Sequence, residues 1–225
     1  MYKFALKNKL TMIEGKKLLI FDLGGVLIDL HVERTFAALV ELGVEPSILT
    51  EKNCLINSYM MQFDRGDISR DEMFAYMASQ LPDSSQETLG TGIICRMQEI
   101  WNMMLGDYAP YKFQRIKELR DRGYKVVILS NTNEGHWSEL EHKFVVTIGK
   151  PLHDFFDAFY LSYLMHHRKP EKEIFAELLA TEGVHPSDAL FFDDSAENCE
   201  AARTLGIDAV LMERNALWSG ELMEF

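Results

Sequence analysis

Short, unbroken apolar runs alternate with amphipathic stretches along most of this chain. Leu18-Leu19-Ile20-Phe21 is stopped by Asp22 and then by Gly24-Gly25, the pattern of a buried strand running into a tight turn. Phe113, Ile116 and Leu119 repeat at helical spacing, and Gly123 stands where such a helix would stop. Tyr124 to Leu129 reads as a second buried strand and Ala158 to Leu161 as a third. Pro170 opens a helix through Ile174, Leu178 and Leu179, with Gly183 beyond its end. Ala189 to Phe192 is a fourth strand, Ala196 to Leu205 a helix closed by Gly206, and Ile207 to Met212 a fifth strand. Strands alternating with helices predict an α/β fold built from parallel βαβ units.

The rhythm breaks between about His31 and Leu105, where no strand pattern is evident. Val32 to Leu42 reads as a helix ended by Gly43. Ser69-Arg70-Asp71-Glu72 is a capping box before Met73, Phe74 and Met77. Ile93, Ile94, Met97, Ile100, Trp101, Met104 and Leu105 form one helical apolar stripe. The pattern predicts a helical insertion over 32–105, between core segments 16–31 and 106–225.

Composition narrows the class. The 225 residues are 47% hydrophobic and 26% charged, as in ordinary globular proteins, and suffice for one domain with an insert. A formal net charge of -12 argues against a nucleic-acid surface. No segment approaches the apolar length of a membrane span, so no membrane partner is expected. Met1 to Lys17 has no signal-peptide run, and Met12 is an alternative start. Cys54, Cys95 and Cys199 are scattered, which fits a reduced, cytoplasmic protein without a zinc site. Oligomeric state is not legible.

The candidate chemistry sits at predicted strand ends, where open α/β sheets bind their ligands. Asp22 has the type and place of a carboxylate nucleophile, or of a turn cap. Ser130 and Asn131 suit phosphate binding, or helix capping. Lys169 suits neutralisation of a phosphoryl group, or a solvated surface. Asp193-Asp194 would repel each other at the core edge without a nearby positive charge, and Mg²⁺ is a hard cation that takes such oxygens. Capping by Asp194 or Ser195 is compatible with that role.

Taken together, these residues resemble the haloacid-dehalogenase superfamily of phosphohydrolases. The likeness runs from Leu18 to about Met212 through Phe21-Asp22-Leu23-Gly24, Arg65-Gly66-Asp67-Ile68-Ser69, Val127-Ile128-Leu129-Ser130-Asn131-Thr132-Asn133, Tyr160-Leu161-Ser162, Arg168-Lys169-Pro170, and Phe191-Phe192-Asp193-Asp194 followed by Asn198. Within the superfamily the pattern is most similar to the α-D-glucose-1-phosphate phosphatase type. The resemblance implies a Rossmann-like parallel sheet with a helical cap. It implies a Mg²⁺-dependent phosphatase acting on a small phosphate ester, a sugar phosphate by this reading, through an aspartyl-phosphate. Asp22 would be nucleophile and metal ligand, Ser130 and Asn131 would bind phosphate, and Lys169 would both bind and stabilise the phosphoryl group. Asp194 and the backbone carbonyl of Gly24 would complete the protein's metal ligands, with Asp193 a weaker candidate.

One position departs from the superfamily's usual pattern. Most of its phosphatases carry a second Asp two residues after the nucleophile as general acid and base, and here that residue is Gly24. The glucose-1-phosphate type shares the glycine. A 2-haloacid dehalogenase also lacks that Asp and needs no metal, but the acidic pair speaks against it. A phosphate-ligand binding protein with little turnover is the non-enzymatic alternative, and it would not require Asp22. Phe63, Asp64 and Arg65 are candidates for facing the site from the cap, or for a solvated turn. His166-His167-Arg168, or Asp29 and His31, are the other places to look for a proton donor.

Overall fold

The computed structural model describes residues 13–49, 54–216 and 218; Met12 and the stretch before it, and the Cys54 side chain, lie outside them. In chain order the strands are β1 (Leu18–Phe21), β2 (Ile28–Leu30), β3 (Leu105–Tyr108), β4 (Lys125–Ser130), β5 (Ala158–Leu161), β6 (Ala189–Asp193) and β7 (Asp208–Leu211). The helices are α1 (Val32–Glu41), α2 (Cys54–Arg65), α3 (Arg70–Ser79), α4 (Asp83–Leu89), α5 (Ile93–Asn102), α6 (Pro110–Asp121), α7 (Glu134–Ile148), α8 (Ser162–Met165), α9 (Lys172–Glu182) and α10 (Ala196–Thr204).

Five strands form one parallel sheet in the order β5-β4-β1-β6-β7. Consecutive strand residues point to opposite faces, so each apolar run supplies two cores. Leu19, Phe21, Val126, Ile128, Leu190 and Phe192 join Phe113 and Ile116 of α6 and Phe144 of α7 on one face. Leu18, Ile20, Val127, Leu129 and Phe191 join Ile174, Phe175 and Leu178 of α9 on the other. Burial on both faces is why these strands read as unbroken apolar runs rather than as alternation.

Helices α1 to α5 enclose a third apolar cluster, which includes Leu39, Phe63, Met73, Phe74, Met77, Met97, Ile100 and Trp101. The Ser69 capping box forms as the sequence predicts, with Glu72 N–H donating to Ser69 Oγ and Ser69 N–H donating to Glu72 Oε2.

Three expectations are corrected. The stripe over 93–105 does not continue as one helix: α5 ends at Asn102, and Leu105 begins β3. β3 pairs antiparallel with β2 at the foot of the helical segment, with Ile28 opposite Tyr108 and Leu30 opposite Leu105. Ile28–Leu30 and Leu105–Tyr108 are each interrupted by an Asp, so neither shows the unbroken apolar run by which the sheet strands are read. The helix assigned to Pro170 starts at Lys172, after a cis Lys169–Pro170 bond.

Candidate active site

β1 lies between β4 and β6, with Phe21 level with Ile128 on one side and Phe192 on the other. That register sets Asp22 level with Asp193 and puts Ser130 one residue beyond it. The Asp22 N–H donates to Phe192 O at 2.8 Å, extending the ladder by one bond. Ser130 and Asp193 are the last residues of their strands rather than the first beyond them. Asp22, Ser130, Lys169 and Asp193 are all buried.

Lys169 joins two carboxylates. Its Nζ lies 2.8 Å from Asp22 Oδ1 and 2.7 Å from Asp193 Oδ2, and its side chain is 1% exposed. Burial disfavours the ammonium, but the charges of Asp193 and Asp22 outweigh it and hold the lysine pKa above its ordinary value. Burial raises the Asp22 pKa to about 7; Lys169 opposes that rise, and Asp193 adds to it. Asp193 is otherwise committed within the protein. It accepts from Ser195 N–H at 2.7 Å and from Asn198 Nδ2 at 3.0 and 3.1 Å. The Asn198 that follows the acidic pair in the sequence motif therefore holds Asp193, which in turn holds Lys169.

The Asn131 side chain is engaged within the protein. Its side-chain amide donates to Lys169 O at 2.8 Å, and its Oδ1 accepts from Lys169 N–H at 2.8 Å. This two-point clamp fixes the backbone that delivers Lys169, so the Asn131 side chain faces that loop. Ser162 does similar work next door: its hydroxyl accepts from Thr132 N–H and donates to Thr132 O, both at 2.9 Å.

Oxygens of Asp22, Asp193 and Asp194 all lie within 4.8 Å of one another. An all-oxygen carboxylate set suits a hard divalent cation such as Mg²⁺. Because Asp193 already accepts from Lys169, Asn198 and Ser195, Asp22 and Asp194 are the better placed of the three to ligate. Asp194 pairs with Arg214. Gly25, at φ 80°, lets that carboxylate approach: a Cβ there would sit 2.5 Å from Asp194 Oδ2. Gly24 has no such restriction, since a Cβ there would meet only the Leu30 side chain at 3.4 Å.

The helical segment touches this region through the end of α2. Asp64 accepts from Asn133 Nδ2 at 3.2 Å and lies 3.8 Å from Arg168. Burial raises the Asp64 pKa, opposed by the Asn133 bond and by Arg168. Arg65 pairs with Glu171, and His166 Nδ1 lies 3.0 Å from Arg65 O. Phe63 is buried in the α1–α5 cluster. Phe63, Asp64 and Arg65 are thus seam residues rather than a solvated turn. A cavity of about 280 Å³ adjoins them, lined by Phe63, Gly66, Asp67, Ser69, Glu134 and Tyr163 among others. Asp29 lies on β2 against Gly106, and His31 pairs with Glu33.

Sequence reasoning missed three residues around the turn after β1. Lys112, 1% exposed, donates to Val26 O at 2.7 Å. Burial lowers its pKa, against the pull of Asp29. Arg214 meets Asp194, and Asn215 ties the turn to the segment after β7. A lone Lys in α6 and an Arg-Asn pair after the last strand carry no motif that would have found them.

Comparison with known proteins places the fold in a family. Residues 16–206 match the family model described as haloacid dehalogenase-like hydrolase. The chain is 30% identical over 206 residues to a D-ribitol-5-phosphate phosphatase of Bacteroides thetaiotaomicron, covering 92% of this chain and 96% of that protein. A crystal structure of a HAD family enzyme from the same organism superposes with a TM-score of 0.80 at 31% identity, covering 91% of this chain and 97% of that one. A second structure of that enzyme, in complex with magnesium and inorganic phosphate, gives a TM-score of 0.75 at 32% identity, with 91% and 98% covered. This chain belongs to the haloacid dehalogenase-like hydrolases.

Proposed function

We propose that this protein is a Mg²⁺-dependent phosphatase that hydrolyses a small sugar or sugar-alcohol phosphate through a covalent intermediate on Asp22. The carrying observation is the buried Asp22 carboxylate at a strand end, 2.8 Å from the Lys169 ammonium and grouped with Asp194. The magnesium and phosphate complex of the related enzyme, and the ribitol phosphate named for the phosphatase relative, support the cofactor and the substrate class.

In this reading Asp22 attacks phosphorus, the ester oxygen leaves, and water then attacks the aspartyl-phosphate to release inorganic phosphate. Ser130 and the backbone N–H groups that follow it hold phosphate oxygens. Lys169 neutralises charge that develops on the transferring group. Asp193 and the Asn131 side chain act at one remove, keeping the ammonium aimed at Asp22. Asp22, Asp194 and the carbonyl of Gly24 would hold Mg²⁺, whose charge would offset that of the phosphate and favour ionised Asp22. Segment 32–105 serves as a lid that excludes water and meets the leaving group. Gly24 offers no proton, and a general acid is worth about 10²–10⁴-fold in rate. Turnover therefore depends on the leaving group or on a donor from the lid.

Phosphate release from a panel of pentose, hexose and alditol phosphates, with Mg²⁺ and with EDTA, tests this. Mg²⁺-dependent release that disappears in Asp22→Asn is the expected result. Chloride release from 2-haloacids, unaffected by EDTA, would replace the reading with the dehalogenase one.

A further inference from the structure

The three carboxylates of the acidic cluster face two cations of different character. Lys169 is enclosed and bonded to Asp22 and Asp193. Arg214 holds the third carboxylate through Nε to Asp194 Oδ2, yet its side chain is 56% exposed against 5% for Asp194.

The contact is built into the backbone. Gly25 lacks a side chain where Asp194 and Arg214 pack: a Cβ there would lie 3.3 Å from Arg214 Cγ as well as against Asp194. The next residue, Asn215, takes φ 56°, in the left-handed region. Its N–H donates to Gly25 O at 2.7 Å. Its side chain accepts from Leu30 N–H at 2.8 Å and donates to Leu30 O at 3.0 Å. The segment after β7 is thereby tied to the same turn that carries Gly24, and Arg214 is delivered onto Asp194 by that tie.

We propose that Arg214 tunes the affinity of the cluster for its divalent cation by competing with the ion for Asp194 and opposing its charge. The guanidinium side of the pair is open to solvent, which screens it and leaves it free to swing away. A dication is therefore able to displace the guanidinium, whereas it meets a fixed, buried ammonium in Lys169. Arg214 sets the threshold concentration of the metal rather than blocking the site. The inference rests on the Mg²⁺ role of Asp22 and Asp194 given above and adds a residue that acts against the ion.

The test is calorimetric titration of Mg²⁺ into EDTA-treated, desalted full-length protein, without substrate. Arg214→Ala and Arg214→Gln both remove the charge, and Gln keeps a hydrogen-bonding side chain. Removal of one unit charge beside a dication in a solvent-like dielectric predicts binding tighter by roughly 3–10-fold in both. Arg214→Lys keeps the charge and stays near the wild type. Unchanged or weaker binding in the two neutral variants overturns the inference while leaving the phosphatase reading intact. A wild type that binds no Mg²⁺ overturns both.

Discussion

Asp22→Asn removes the proposed nucleophile, and it should also stabilise the protein above neutral pH. The wild-type carboxyl has its pKa raised from 3.8 to about 7 in the folded chain, chiefly by burial. A raised carboxyl pKa means that the folded state holds a proton the unfolded state has released. Stability therefore falls as pH rises through the window between those two values, the reverse of the usual carboxylate case. Each unit of the shift corresponds to about 1.4 kcal/mol. From about pH 5 to about pH 8 the wild type should lose ~2–3 kcal/mol through this group, and the Asp22→Asn protein should not. The attraction of Lys169 for the ionised carboxylate is already contained in that raised pKa, and in the variant Asp193 remains as that lysine's partner. Denaturant unfolding in EDTA at several pH values, wild type against Asp22→Asn, reads the difference directly. The expected result is a variant-minus-wild-type stability that grows steadily with pH and flattens just above neutrality. Parallel pH profiles, or a difference that shrinks with pH, would refute the claim that burial dominates at Asp22.

Asn131→Ala deletes both bonds that clamp the Lys169 backbone; we expect a loss of about 1–3 kcal/mol in stability and a fall in kcat larger than any rise in KM, read by denaturant melts and steady-state kinetics. Gly25→Ala combines a positive φ with a Cβ inside contact distance of Asp194. It should weaken Mg²⁺ binding at least tenfold, about 1.4 kcal/mol, as seen in a calorimetric titration. A hexose phosphorylated at C1 should be turned over faster than the same hexose phosphorylated at C6, because the anomeric oxygen leaves with less help from an acid. Gly24→Asp is sterically admissible against Leu30 and should narrow that gap in kcat/KM; a wild-type preference for the C6 ester would point instead to a donor in the protein, with Asp64, Asp29 and His31 the residues to substitute.

The sheet was legible because its strands are buried on both faces, and Leu18–Phe21 or Leu190–Phe192 admit no polar residue that would blur the run. Asp22, Ser130, Lys169 and Asp193-Asp194 were legible for a related reason: each is the first polar residue or pair after such a run, or stands just before a helix. What escaped was the second layer of contacts. The Asn131 side chain has its partner, Lys169, 38 positions away. Arg65 and Glu171 are 106 positions apart, and Asn215 meets Leu30 across 185. Such pairs depend on how the helical segment and the chain end settle on the sheet, which local pattern does not encode. The β2–β3 ribbon was missed because Ile28–Leu30 and Leu105–Tyr108 each carry an Asp within the run instead of an unbroken apolar stretch.

The central claim is that a phosphoryl group is carried on the Asp22 carboxylate. Mass spectrometry of the protein, acid-quenched during turnover of a responsive sugar phosphate with Mg²⁺ and then digested, tests it most directly. The account predicts a phosphorylated peptide containing Asp22, absent in EDTA and absent in Asp22→Asn. Sustained phosphate release by Asp22→Asn at the wild-type rate, or phosphate found on a different residue, would contradict it.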